Sequence, residues 1–147
     1  MAALYVVLTY VSSTLGLSGG VIQLRISEVL CVLPAYTPSA VPGLFVGCMI
    51  ANLLTGAGAF DIVFGSIATL LGAVGSYCVG KKNKMLALIP PILSNAVIIP
   101  FVLRYAYGAE DALWFMFLTV GMGEVLSCGV GGAVMLGVYN RIFKNYK

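Results

Sequence analysis

The chain has 147 residues, of which 61% are hydrophobic and only 9% are charged, and its mean hydropathy is +1.04. A soluble domain carries about 25% charged residues, so the composition indicates an integral membrane protein. It excludes a soluble enzyme, a disordered tail and a nucleic-acid-binding protein. The formal net charge is +3 and no histidine is present, which excludes histidine-based catalysis and histidine-ligated metal sites.

Uncharged stretches, separated by charged residues, glycine turns and prolines, predict an all-α membrane protein with six transmembrane helices in one domain covering 1–147. The helices are predicted at about residues 1–17, 26–36, 39–55, 61–79, 85–105 and 112–139. The second helix is the shortest, because Pro34, Pro38 and Pro42 break its apolar run. It falls short of the ~20 residues that an upright crossing needs, which is tolerated where other helices cover its ends.

The distribution of charge predicts the orientation in the membrane. With six spans both termini lie on one side, and that side then receives the lysine-rich loop at 81–84 and the basic tail at 141–147. The acidic loop at 110–111 falls on the other side. By the positive-inside rule we expect a multi-pass protein of the plasma membrane with both termini in the cytoplasm.

Residues 75–82 nearly match the Walker A loop of nucleotide-binding proteins. Lys82 stands where the motif needs a serine or threonine for magnesium. The stretch also ends a predicted membrane helix, whereas a phosphate loop joins a strand to a helix. We therefore expect no ATPase site and no cofactor on this chain.

Small residues recur at every fourth position in several predicted helices. Gly43 and Gly47 share one face of the third predicted helix in this way. Faces without side-chain bulk let helices approach closely. Two interpretations stay open at this point, namely packing inside the bundle and docking of another membrane subunit.

Ionisable and amide side chains inside apolar stretches are the strongest functional signal. Glu124 lies about 12 residues into the last predicted helix. A carboxylate at that depth is costly and usually faces a cavity or a partner, so we expect it to bind a ligand. The other candidates, which could converge with Glu124 in the outer half of the bundle, are Asn95, Asn52, Asp61, Arg25 and Glu28. The alternative interpretation is structural ion pairing, with Arg25 on Glu28 and Arg104 on Asp61.

Long strings of residues resemble the QueT family. The strings are at 25–30 (RISEVL), 33–38 (LPAYTP), 42–48 (PGLFVGC), 51–54 (ANLL), 61–66 (DIVFGS), 90–91 (PP, with Asn95) and 121–124 (GMGE). They cover nearly the whole chain beyond the first predicted helix. Members of this family are substrate-binding (S) components of energy-coupling factor (ECF) transporters.

The resemblance implies a six-helix S component that takes up a queuosine precursor, a 7-deazaguanine base. It also implies partners, namely an EcfT-type transmembrane coupling protein and two EcfA-type ATPases that use the ATP. S components resemble one another in docking through an Ala-x-x-x-Ala face on the first helix. Ala2 and Ala3 are candidates for this docking face, together with Gly43 and Gly47, but Val6 and Val7 stand where the second alanine is expected.

The chemistry of a guanine-like base suits these residues. One edge of the base carries two adjacent N–H donors and a carbonyl, so we expect Glu124 to accept from the donors and Asn95 to donate to the carbonyl. Glu28 or Asp61 would face an aminomethyl cation if the substrate carries one. Arg25 and Glu28 lie on an outer loop that could close over the site.

Three other functions are open on the sequence. The same polar residues would serve an S component for another flat nutrient, such as a vitamin or a purine. The chain could also be a structural membrane subunit without a ligand, or a secondary transporter that exchanges protons at Glu124.

Overall fold

The computed structural model describes residues 1–17 and 22–143, and all regular secondary structure in these ranges is helical. The end of the predicted basic tail, at 144–147, lies outside the described residues. Five helices are α1 (Ala2–Thr14), α2 (Ala40–Leu54), α3 (Asp61–Gly80), α4 (Met85–Tyr105) and α5 (Leu113–Ile142). A sixth element, the 3₁₀ segment (Ile26–Ala35), lies between α1 and α2 in the chain. The all-helical class is confirmed.

Three of the helices are long and apolar enough to cross a bilayer: α3, α4 and α5 have 20, 21 and 30 residues. The other elements are short, with 13 residues in α1, 15 in α2 and 10 in the 3₁₀ segment. At ~1.5 Å per residue, α1 reaches only about 20 Å, whereas the hydrocarbon core of a bilayer is ~30 Å thick. A full crossing by all six elements therefore stays a prediction.

The 3₁₀ segment forms the centre of the bundle. Eight of its ten residues are buried, and it packs against α1, α3 and the C-terminal half of α5. Pro34 lies inside the segment, where a proline removes a backbone N–H and disfavours a continuous α-helix. The predicted short helix is therefore a buried 3₁₀ element, and such an element is tolerated at membrane depth because protein surrounds it.

The longer helices pack on one another in chain order, and small residues allow the close contacts. α1 packs on α2, α2 on α3, α3 on α4 and α4 on α5. A Cβ added at Gly72 of α3 would lie 2.6 Å from the Cα of Pro91 on α4. A Cβ added at Gly80 would lie 2.4 Å from the Cβ of Ala35 in the 3₁₀ segment. These glycines are therefore required by packing.

Gly43 and Gly47 contact α1 of the same chain. A Cβ added at Gly47 would lie 2.9 Å from the Cβ of Tyr5 and 3.0 Å from the Cα of Ala2. A Cβ added at Gly43 would lie 2.7 Å from the Cβ of Met1. This favours the interpretation of packing inside the bundle for Gly43, Gly47 and Ala2. Ala3 is exposed, and its docking role stays a prediction.

The connections between helices meet at two ends of the bundle. One end, called the cavity end because a cavity described below opens there, contains the chain at 22–25, the loop at 55–58 and the loop at 106–112. There the Tyr107 hydroxyl lies 3.4 Å from the backbone nitrogen of Asp61. At the lysine end, the loop at 81–84 meets the end of the 3₁₀ segment, where the Lys84 ammonium donates to the Ala35 carbonyl.

Candidate functional site

A row of polar contacts joins α1 to the 3₁₀ segment. Tyr5, Thr9 and Ser12 lie on one face of α1 and are buried among apolar neighbours. Their partners are three consecutive residues at the start of the 3₁₀ segment. The Tyr5 hydroxyl donates to Glu28 at 2.5 Å, the Thr9 hydroxyl donates to Ser27 at 2.8 Å, and the Ser12 hydroxyl accepts from the backbone N–H of Ile26 at 2.9 Å. The sequence interpretation missed this row. The signal that could have found it is the spacing of three polar residues by four and three positions in an apolar helix.

The Glu28 carboxylate is buried and accepts a hydrogen bond at each of its two oxygens. Its side chain is 1% exposed. The Tyr5 hydroxyl donates to one carboxylate oxygen at 2.5 Å, and the Cys31 thiol donates to the other at 2.9 Å. A buried charge is tolerated only when it is paired or hydrogen-bonded. Glu28 therefore holds α1 and the 3₁₀ segment together, with one donor of this chain on each oxygen.

Glu124 on α5 and Asn95 on α4 lie side by side in the interior, as the sequence predicts for one shared site. Both are buried, at 8% and 4% exposure. The Glu124 carboxylate and the Asn95 amide interact with each other, but neither the Oε2 oxygen nor the Nδ2 nitrogen has a hydrogen bond of full geometry. An unpaired buried polar group costs about 1–3 kcal/mol, and such groups are rare in native structures. This pair therefore points to a ligand that supplies the missing partners.

Arg25 lies in the same region as this pair. Its positive charge acts on Glu28 and Glu124 at long range, but among the described residues no hydrogen bond or ion pair joins Arg25 to either carboxylate, so the ion pair considered between Arg25 and Glu28 is not formed. The chain that carries it lies directly on α5, because a Cβ added at Gly123 would sit 2.2 Å from the carbonyl oxygen of Gln23. Glycine at position 123 therefore lets the chain at 23–25 cover the region beside Glu124.

A polar cavity of about 290 Å³ opens at the cavity end. Its size is close to the lower end of the ~300–1,000 Å³ range of small-molecule sites. The polar side chains that line it are Thr9, Ser13, Gln23, Arg25, Asn52, Thr55 and Asp61. Three predicted site residues, namely Arg25, Asn52 and Asp61, therefore share this cavity. Glu124 and Asn95 are not among the residues that line it.

Asn52 positions the start of α3. Its side-chain amide donates to the backbone carbonyl of Asp61 at 3.0 Å and contacts the Cys48 sulfur at 3.6 Å. Because its amide nitrogen is used in this way, Asn52 fixes the place of Asp61 at the cavity rim. The ion pair considered for Asp61 is not formed with Arg104, whose guanidinium donates to the carbonyl oxygen of Ala109 at 2.8 Å.

Two π-helical turns coincide with predicted site residues. One covers Asp61–Gly65 at the start of α3, and the other covers Val125–Gly131 directly after Glu124 in α5. Turns of this type are rare and are found mostly at functional sites. Among the described residues, no group of three or more cysteine, aspartate or glutamate side chains is placed to hold a metal ion.

The fold and the site define a helical membrane protein with a polar, partly enclosed cavity between its helices. The model of the QueT transporter family matches residues 1–141, and the chain belongs to this family of transporters. The chain is also similar to the queuosine precursor transporter QueT of Lactococcus lactis subsp. cremoris (strain MG1363). The two are 27% identical over 153 aligned residues, which cover 97% of this chain and 89% of the relative. No solved structure matches the chain.

Proposed function

We propose that this chain is the substrate-binding component of an importer and that it captures a queuosine precursor, a 7-deazaguanine base. The observation that carries the proposal is the buried Glu124 carboxylate beside the Asn95 amide, where neither Oε2 nor Nδ2 has a hydrogen bond of full geometry. The family and the relative in Lactococcus lactis support the class of substrate.

The two unpaired atoms complement one edge of the base. A carboxylate oxygen is an acceptor, and it suits the adjacent N–H donors of a guanine-like ring. An amide nitrogen is a donor, and it suits the ring carbonyl. Binding would therefore satisfy both atoms at once. Analogues that lack these groups would leave Glu124 and Asn95 unpaired, and sites of this kind reject such analogues strongly.

The cavity lined by Arg25, Asn52 and Asp61 would hold the aminomethyl substituent of the base. Asp61 lines this cavity, whereas Glu28 does not line it and already accepts from Tyr5 and Cys31. Of the two carboxylates considered for an aminomethyl cation, Asp61 is therefore the better candidate. Arg25 would cover the bound base, since the chain at 23–25 lies against α5 at Gly123, next to Glu124.

Partner proteins would supply the energy. We place the chain in the plasma membrane with both termini in the cytoplasm, bound to an EcfT-type coupling protein and two EcfA-type ATPases. The support for these partners is the resemblance to the QueT family, to which the chain belongs.

Calorimetric titration of the purified chain tests the proposal. We expect saturable binding of a 7-deazaguanine that carries an aminomethyl group, and at least tenfold weaker binding of riboflavin and of adenine, which presents a different hydrogen-bonding edge. Binding of riboflavin or adenine in preference to the 7-deazaguanine would assign the chain to another flat nutrient. An absence of binding by all three would favour a structural subunit.

A further inference from the structure

Charge is segregated between the two ends of the bundle. All five acidic residues lie in the interior or toward the cavity end, at Glu28, Asp61, Glu110, Asp111 and Glu124. The lysine end carries Lys81, Lys82 and Lys84 in one loop and Arg141 near the end of α5. No carboxylate side chain of this chain is therefore available at the lysine end to neutralise these cations.

The cations at this end differ in what they contact. Lys84 is engaged within the protein, since its ammonium donates to the Ala35 carbonyl and lies 4.7 Å from the centre of the Tyr36 ring. Lys81 lies 4.2 Å from the centre of the Tyr77 ring, on the surface of α3. Lys81, Lys82 and Arg141 are exposed. In membrane proteins, lysines and tyrosines at the ends of apolar helices are typically found at the level of the lipid headgroups.

We propose that the exposed cations Lys81, Lys82 and Arg141 form a binding surface for the phosphate groups of anionic phospholipids. The helices that present them, α3 and α5, are apolar enough to cross a bilayer, so the headgroups of the surrounding lipids reach their ends. Each basic residue near an anionic lipid surface increases binding about fivefold. Lys84 has a structural role, because its ammonium is bound to the 3₁₀ segment.

Native mass spectrometry of the full chain in detergent, titrated with phosphatidylglycerol or phosphatidylcholine, tests this surface. We expect wild type to retain phosphatidylglycerol in preference. Lys82→Gln should weaken that retention about fivefold, and the double variant Lys81→Gln/Lys82→Gln about 25-fold. Arg104→Gln is the matched control, because it removes one cation at the cavity end and should retain the lipid as wild type does. Unchanged thermal unfolding in phosphatidylcholine would show that the variants are folded.

Equal retention of the two lipids by wild type would overturn the proposal, and so would undiminished phosphatidylglycerol retention by the double variant. The competing occupant of the surface is an acidic protein partner. If the double variant kept phosphatidylglycerol but lost its partner subunits on co-purification, the lysines would belong to a protein interface instead.

Discussion

The Tyr5 hydroxyl on α1 donates a 2.5 Å hydrogen bond to the buried Glu28 carboxylate, so the first helix is tied to the centre of the bundle. The contact joins residues 23 positions apart. On the other side of the contact, the Cys31 thiol donates to the second carboxylate oxygen at 2.9 Å. Glu28 therefore joins α1 to the 3₁₀ segment through a buried carboxylate.

Tyr5→Phe should destabilise the protein. The variant keeps the ring but leaves one oxygen of a buried carboxylate unpaired, and a hydrogen bond to a charged group contributes about 1.5–3 kcal/mol. Unfolding in mixed detergent micelles measures the loss. Tyr10→Phe is the control, since Tyr10 lies on the same helix and is 54% exposed. Equal stability of the two variants would show that the Tyr5–Glu28 contact contributes little.

Gly123→Ala should weaken substrate binding more than tenfold. The new Cβ would lie 2.2 Å from the Gln23 carbonyl oxygen, a backbone atom, so the chain that carries Arg25 must move away from α5. Gly121→Ala is the matched control two residues away, where the nearest atom to the new Cβ is 3.8 Å distant. Calorimetric titration of both variants checks the prediction. Wild-type affinity in Gly123→Ala would mean that the chain at 23–25 plays no part in binding.

Gly47→Ala distinguishes packing inside the bundle from docking of a partner. The new Cβ would lie 2.9–3.1 Å from atoms of Tyr5 and Ala2, and overpacking of this kind costs about 1–3 kcal/mol. We expect lower stability in unfolding assays. In Gly137→Ala nothing lies within 4 Å of the new Cβ, and we expect no loss of stability. Full stability of Gly47→Ala combined with lost co-purification of partner subunits would restore the docking interpretation.

Asp61→Asn tests whether Asp61 binds the aminomethyl substituent of the base. Asp61 is the acidic side chain among the residues that line the cavity, where Arg25 is the basic one, so we expect its carboxylate to pair with a cationic substituent. We expect the variant to bind an aminomethyl-substituted 7-deazaguanine about tenfold more weakly, while its affinity for unsubstituted 7-deazaguanine stays as in wild type. An equal effect on both ligands, measured by calorimetry, would show that Asp61 does not contact the substituent.

The helices could be predicted from the sequence because charged residues, prolines and glycine turns interrupt a uniformly apolar chain. The boundaries of α2 and α4 agree with the structure within one residue at each end. The central place of the 3₁₀ segment could not be predicted, since it depends on which helices surround a short apolar run. Burial in the interior of a bundle and contact with lipid favour the same apolar composition.

The candidate site was predictable in part for a physical reason. A carboxylate in an apolar helix is costly wherever it lies, so Glu124 stands out without any structure. The engagement of Glu28 was not predictable, because its partner Tyr5 is distant in sequence and a tyrosine in a membrane helix is unremarkable by itself. The positioning role of Asn52 likewise depends on a backbone carbonyl that only the folded chain brings near.

Glu124→Gln tests the central claim most directly, through the calorimetric affinity for a 7-deazaguanine together with the thermal stability of the ligand-free protein. Loss of the charged acceptor should weaken binding about 100-fold. A cooperative thermal transition of the ligand-free variant should show that it is folded. Glu110→Gln, an exposed carboxylate on the loop before α5, should change neither quantity. Wild-type affinity in Glu124→Gln would contradict the account.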